Sequence, residues 1–207
     1  MFEKAFKPFV TKKLKIDNFP SLDQMEWDTQ EEFSYDQCIF DPLDRCMKHY
    51  FQKIRRRFPT NHLQIIQDFE MDAMHRPKVL VQTAGHVAGA VRYYQRRDVR
   101  EDPWDESQRI YGTCVHPKYG GWFALRGVII FEDIKANKLV QVEPPDIIKA
   151  DEDRIRLLNL YNFHWRDWSF RDVLLGVADR YSEEQKTYFA TPPSERLEIL
   201  RKLFENK

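Results

Sequence analysis

Apolar and polar positions follow two different rhythms along this chain, one of helical period and one of strand period. The first clear element opens at Asp41-Pro42, an acceptor suited to a helix N-cap followed by a proline suited to the first helical position. Leu43, Met47, Tyr50, Ile54 and Phe58 then recur on one helical face, and Pro59 stops the pattern. The basic run at 53–57 falls in the last turn, where cations suit the helix dipole. Residues 62–71 and 78–96 are rich in Val, Ile, Leu, Tyr and Phe and read mostly as strands, with residues 71–77 as a loop between them. The chain turns again around Asp102-Pro103. Residues 109–115 and 122–131 read as a hairpin, turning at Pro117, Gly120 and Gly121. Alternation would place Trp122, Ala124, Arg126, Val128 and Ile130 on one face of its second strand. After Pro144-Pro145 the period becomes helical. Asp151 begins a stretch with Ile155, Leu158 and Asn162 on one face, Ser182 to Gln185 spell a capping box, and Thr191-Pro192 opens a last helix with Leu197, Leu200 and Phe204 inward. Strands first and helices later predict an α+β fold.

The 207 residues suit a single domain, 1–207, in which the polar stretch 11–35 reads as an irregular connection. Lys and Arg number 33, as do Asp and Glu, and this balance argues against a polyanion-binding reading of the 53–57 run. No run of eighteen apolar residues exists to span a membrane, and the first residues lack the apolar stretch of a signal peptide. Cys38, Cys46 and Cys114 are odd in number and form no C-x-x-C, which fits a reducing compartment better than a disulfide framework. The six histidines show no H-x-x-x-H or H-E-x-x-H spacing, so no metal site is expected.

Three places carry candidate chemistry. Arg126 interrupts an apolar run, and a buried guanidinium needs a partner: either a structural carboxylate or an anionic ligand in a cleft. The segment from His164 to Asp172 sets Trp165, Trp168 and Phe170 among two Arg-Asp neighbours. If it is helical, Asp167 and Arg171 form an ordinary i,i+4 pair; otherwise rings beside arginines suit a flat conjugated ligand. Arg196 lies one position before the last apolar stripe, where a solvated side chain is the plain reading. Residues 83–90 are small around His86, which suits either tight packing or close approach to a ligand. His86-x-x-Gly89 is half of the corrinoid motif D-x-H-x-x-G, but Ala84 stands where the Asp would be.

Longer runs go further. Met1-Phe-Glu-Lys-Ala-Phe-Lys-Pro-Phe9, Asp41-Pro-Leu-Asp-Arg-Cys46 and the run from Arg76 to Ala90 are followed by Tyr93-Tyr-Gln-Arg96 and Asp102-Pro-Trp104. His116-Pro-Lys-Tyr-Gly-Gly-Trp-Phe-Ala-Leu-Arg-Gly127, Asn162-Phe-His-Trp-Arg-Asp-Trp168, Arg180-Tyr-Ser-Glu-Glu-Gln-Lys186 and Thr191-Pro-Pro193 complete the series. In this order they resemble the cblC (MMACHC) family of cytosolic cobalamin-processing enzymes.

That resemblance implies a nitroreductase-like antiparallel sheet with packed helices. It also implies removal of the upper axial ligand of cobalamin, by glutathione for alkylcobalamins and by a reduced flavin, FMN or FAD, for cyanocobalamin. The family's glutathione arginines match Arg126, Arg171 and Arg196. Its corrinoid-contacting positions match Asp68, Val79, Leu80, Val81, Gln82, Tyr93, Tyr94, Gln95, Cys114 and Leu125, with His86, Trp168 and Phe170 as possible cleft lining. A cblD-type trafficking protein (MMADHC) and methionine synthase are the partners it implies, in the cytoplasm. It further implies that the family's first segment is missing here and that residues 13–33 are an insertion. Two rivals remain: a non-catalytic cobalamin chaperone, and a flavin oxidoreductase of nitroreductase type oxidising NAD(P)H.

Overall fold

The computed structural model describes residues 41–135, 140 and 142–205. In chain order the elements are α1 (Pro42–Arg55), β1 (Leu63–Gln67), α2 (Val81–Val87), β2 (Arg92–Tyr94), β3 (Thr113–Val115), β4 (Gly127–Phe131), α3 (Asp151–Phe163), α4 (Glu183–Ala190) and α5 (Arg196–Glu205). Short 3-10 turns occupy Arg96–Asp98, Trp165–Asp167, Ser169–Asp172 and Pro193–Glu195. The architecture is mixed, with helices packed beside two small antiparallel sheets. The chain divides into two compact units, residues 1–57 with 181–207, and residues 58–180. Among the described residues no helix is long and apolar enough to cross a membrane. The irregular segment expected at 11–35 and the insertion at 13–33 lie outside the described residues.

In the first unit the helix N-terminal signals read from the sequence hold, but α1 ends at Arg55, so the expected face does not extend to Phe58 and Pro59 is not its stop. The Asp41 carboxylate accepts the Leu43 N–H at 2.9 Å, with Pro42 at the first position and Lys53 and Arg55 in the last turn. Ser182 and Gln185 close a reciprocal capping box on α4, satisfying two otherwise orphaned N–H groups. The core is Leu43, Cys46 and Tyr188, with Met47, Tyr50, Phe189 and Leu200 packed against it. Thr191-Pro192 leads into a 3-10 turn before α5 begins. The inward-facing Phe204 expected on α5 lies outside the described side chains.

The second unit departs from the strand reading in two ways. Residues 78–96 are not mostly strand: Val81–Val87 form a helix, and only Arg92–Tyr94 pair. The apolar composition is real, but Gly85 lets this helix lie against its neighbours. A Cβ there would come within 2.8 Å of Leu125 Cδ1 and 3.0 Å of Val91 Cγ2. Gly89, at φ 72°, then reverses the chain into β2.

The expected hairpin is also absent. β4 pairs with β1, from Leu63↔Phe131 to Gln67↔Gly127, and β3 pairs with β2, from Arg92↔Val115 to Tyr94↔Thr113. Residues 122–126 belong to no strand. Trp122 and Phe123 are both buried, side by side in sequence, and strand alternation forbids that on a one-sided sheet. Ala124 and Ile130 are exposed, so the expected single face does not exist. Residues 71–77 form the expected loop, closed by a Met71↔Pro77 bridge.

Two cores lie around these strands. Tyr94, Val115, Ile148, Leu157 and Phe170 form one, and Val91, Cys114 and Phe123 form another. Asn162 sits on the predicted face of α3 but acts through hydrogen bonds. Its amide accepts the Tyr111 N–H and donates to the Tyr111 carbonyl, each at 2.9 Å, so a helix side chain holds a loop as a strand would.

Candidate functional site

The second unit contains a cavity of about 230 Å³ built from segments far apart in sequence. α2 contributes Val81 and Gln82, and β3 contributes Thr113 and Cys114. The irregular stretch before β4 contributes Gly121, Phe123, Ala124 and Leu125. Tyr161 of α3 joins them, with Phe170 and Arg171 of the Ser169–Asp172 turn. The lining is mainly apolar, and Arg171 is its one cation.

Arg171 is positioned by backbone. Its Nη1 donates to the carbonyls of Gly121 and, at 3.0 Å, Phe123. The Trp168 and Phe170 rings lie 5.2 and 4.9 Å from the guanidinium carbon. The segment 164–172 is therefore two 3-10 turns rather than an α-helix, joined at Trp168 in the left-handed region with φ 66°. The helical spacing needed for an Asp167–Arg171 pair does not arise. Asp167 instead accepts the Ser169 N–H at 2.9 Å, and Trp168 stacks on Trp122 with ring centroids 6.5 Å apart.

Gln82 and Cys114 make one corner of the cavity. The Cys114 thiol lies 3.5 Å from the Gln82 carbonyl, to which it donates, and burial pushes its pKa up to about 12. A thiol so placed stays protonated at neutral pH and is no nucleophile. Cys46, in the first unit, is raised to about 12 for the same reason. The Gln82 side-chain oxygen is buried and has no hydrogen-bond partner, an orphan acceptor beside the cavity.

Other expected site residues stand elsewhere. Arg126 pairs with Asp68 at 3.0 Å, so two expected ligand contacts meet each other at the end of the β1–β4 ladder, where the Asp68 N–H also donates to the Arg126 carbonyl. The Tyr94 side chain is buried. Its hydroxyl donates to Asp146 at 2.8 Å and accepts the N–H groups of Ile147 and Ile148, and its pKa is raised to about 12, chiefly by burial. The Gln95 N–H donates to Asp98 in a capping box. Tyr93 packs against Val91, Cys114 and Phe123. His86 Nδ1 accepts the Tyr93 N–H at 3.4 Å, and its Nε2 lies 4.0 Å from Glu143. Leu80 is exposed and Val79 half-buried. None of these residues lines the cavity.

Arg196 belongs to the first unit and is not solvated. Its Nη1 donates to the Asp41 carboxylate, its Nε to the Thr191 carbonyl at 3.0 Å and its Nη2 to the Phe189 carbonyl at 3.5 Å.

The lining also includes Thr113, Gly121, Phe123, Ala124 and Tyr161, none of them singled out by sequence as site residues. Gly121 and Phe123 sat within a run read only as a turn and a strand. Tyr161, three residues beyond Leu158, continues the helical stripe that could have marked it. Among the described residues no group of three or more His, Cys, Asp or Glu side chains is arranged to hold a metal ion.

The fold and cavity define a mixed α/β protein with a small, mainly apolar pocket whose lining carries a single arginine. The chain matches the model of the methylmalonic aciduria and homocystinuria type C family over residues 1–200, and it belongs to that family. It is 47% identical over 201 residues to a chicken protein named cyanocobalamin reductase / alkylcobalamin dealkylase, covering 97% of this chain and 74% of the relative. A human protein of the same name is 42% identical over 200 residues, covering 97% of this chain and 63% of the relative. The crystal structure of a Caenorhabditis elegans B12-trafficking protein, CblC, superposes with a TM-score of 0.76 at 32% identity, over 97% of this chain and 74% of that one.

Proposed function

We propose that this chain binds a cobalamin and transfers its upper alkyl ligand to the sulfur of glutathione. The observation carrying the reading is Arg171, a guanidinium fixed by two carbonyls at the wall of an otherwise apolar cavity. A cation there favours the thiolate and suits the carboxylates of glutathione. Neither described cysteine can take the thiolate's part, since both are held protonated by burial. In the step proposed, the glutathione thiol loses its proton and its sulfur attacks the cobalt-bound carbon. A C–S bond forms as the Co–C bond breaks, and both electrons of that bond stay on cobalt, which passes from Co(III) to Co(I).

The cavity is smaller than the roughly 300–1,000 Å³ typical of drug-sized ligands, so it would take the alkyl group and the thiol while the macrocycle lies across its mouth. The buried Gln82 oxygen suits an amide N–H, a group that the corrin periphery carries in abundance.

Flavin-dependent decyanation of cyanocobalamin is the companion reaction implied by the family. The Gly120-Gly121 turn does not offer a flavin phosphate a cradle, because its N–H groups already donate to the His116 and Arg171 carbonyls. A flavin phosphate would therefore be held elsewhere than at this turn. Passage of the product to a cblD-type protein and methionine synthase, in the cytosol, belongs to the same reading.

The test is anaerobic mixing of the protein with methylcobalamin and glutathione. The expected result is the visible spectrum of cob(I)alamin, or of cob(II)alamin once air enters. Binding without that change would favour a second reading, a chaperone that holds cobalamin without turnover. It draws support from Arg126 and Arg196, whose guanidinium groups are engaged by Asp68 and Asp41. Oxidation of NAD(P)H with no cobalamin affinity would instead mark a nitroreductase-type flavin enzyme.

A further inference from the structure

The His116 imidazole lies outside the cavity lining, yet it organises the turn from which that lining emerges. Its Nδ1 accepts two backbone N–H groups, from Lys118 at 3.0 Å and Tyr119 at 3.3 Å. An acceptor Nδ1 places the ring proton on Nε2. The turn is closed by a reciprocal backbone pair, His116 N–H to the Gly120 carbonyl at 2.8 Å and Gly120 N–H to the His116 carbonyl at 2.9 Å. Gly120 takes a left-handed conformation with φ 55°, and the chain then delivers Gly121 against the Arg171 backbone. A Cβ on Gly121 would stand 2.5 Å from Arg171 Cα. The carbonyls that hold the Arg171 guanidinium are those of Gly121 and Phe123, the residues that follow this turn.

We propose that His116 is a positioning residue: by accepting the Lys118 and Tyr119 N–H groups, its neutral ring fixes the turn that sets Arg171 for its anionic ligand. The activity arm of this inference rests on the dealkylase reading; the geometric arm does not.

The ring can play this part only while Nδ1 is unprotonated. Protonation would turn the acceptor into a donor facing two donors. The groups facing the ring are the Lys118 cation, the Tyr119 ring at 4.6 Å between centroids and the Phe123 ring at 5.8 Å. Burial first, and Lys118 second, hold the pKa below the ordinary 6.5. Between that lowered value and 6.5 the native state binds fewer protons than the unfolded one. The stability that the neutral ring contributes is therefore complete above 6.5 and is lost as pH falls through this window, and the turn itself loosens where the native ring takes up its proton, at the lowered value.

Two variants separate this role from general packing. H116N places an amide oxygen near the Nδ1 position and keeps the acceptor without a titrating group. H116Q places its oxygen near the Nε2 position and leaves both N–H groups unanswered. At pH 7.5 the KM for glutathione should stay within about twofold of wild type in H116N and rise about tenfold in H116Q, with a smaller effect on cobalamin affinity. As pH falls through the lowered His116 value the wild-type KM should climb while that of H116N stays flat. Amide hydrogen exchange at Lys118 and Tyr119 supplies an arm that needs no turnover: about tenfold faster in H116Q, unchanged in H116N. If wild type shows no dealkylation, the exchange arm still decides the positioning role. Equal exchange in all three proteins, or an acid limb that persists in H116N, overturns it.

Discussion

Arg196 and Arg171 are the same side chain in two different settings, one in each unit of the molecule. In the first unit, Arg196 ties the start of α1 to the end of α4. It joins Asp41, the N-cap of α1, to the carbonyls of Phe189 and Thr191, with the Tyr188 ring 5.1 Å from its guanidinium carbon. Tyr188 donates its hydroxyl proton to the same carboxylate at 2.7 Å. In the second unit, carbonyls and aromatic rings hold Arg171 at the edge of a void. A guanidinium with a buried carboxylate to neutralise completes a structure. One that lies at the edge of a void stands beside the space a ligand would fill. Arg126 falls between the two, joined to Asp68 but still about one-fifth exposed.

Experiments can break this contrast or sharpen it. The largest effect belongs to R196M, which strands the Asp41 carboxylate at 9% exposure and should lower the unfolding free energy by about 3 kcal/mol in urea titration. R171M should lower it by only about 1–2 kcal/mol while raising the KM for glutathione at least about tenfold. Equal destabilisation by the two variants would erase the distinction. R126Q and D68N should each reduce stability by about 1 kcal/mol, with a double mutant well short of additive. If R126Q weakens glutathione use more than cobalamin binding, Arg126 belongs with Arg171. Equal loss of both places it with Arg196.

The elements legible in the sequence are those whose signals are local. Asp41-Pro42 and the Ser182 to Gln185 box announce helices because the cap and its N–H partners sit within a few residues of each other. Strand partners are not legible where pairing is non-local. Val128 and Ile130 look like partners for residues 109–115, yet they pair with Ile66 and Gln64, more than sixty residues earlier. α2 is not legible because Val81 and Val87 flank a glycine, a composition that reads as strand until Leu125 packs into the gap over Gly85. The site was legible in part. Val81, Gln82, Cys114, Leu125, Phe170 and Arg171 do converge on the cavity. No local pattern links Arg126 to Asp68, and only the pairing of β1 with β4 brings them together.

The absence of a side chain at Gly121 has an evolutionary consequence. With the Arg171 backbone occupying the space a methyl group would need, position 121 and the conformation of the 169–172 turn form one heritable character. A lineage that replaced this glycine would have to relocate the turn and its arginine with it. Drift at either place should therefore be answered at the other, and a descendant that lost both would mark where this pocket changed its trade.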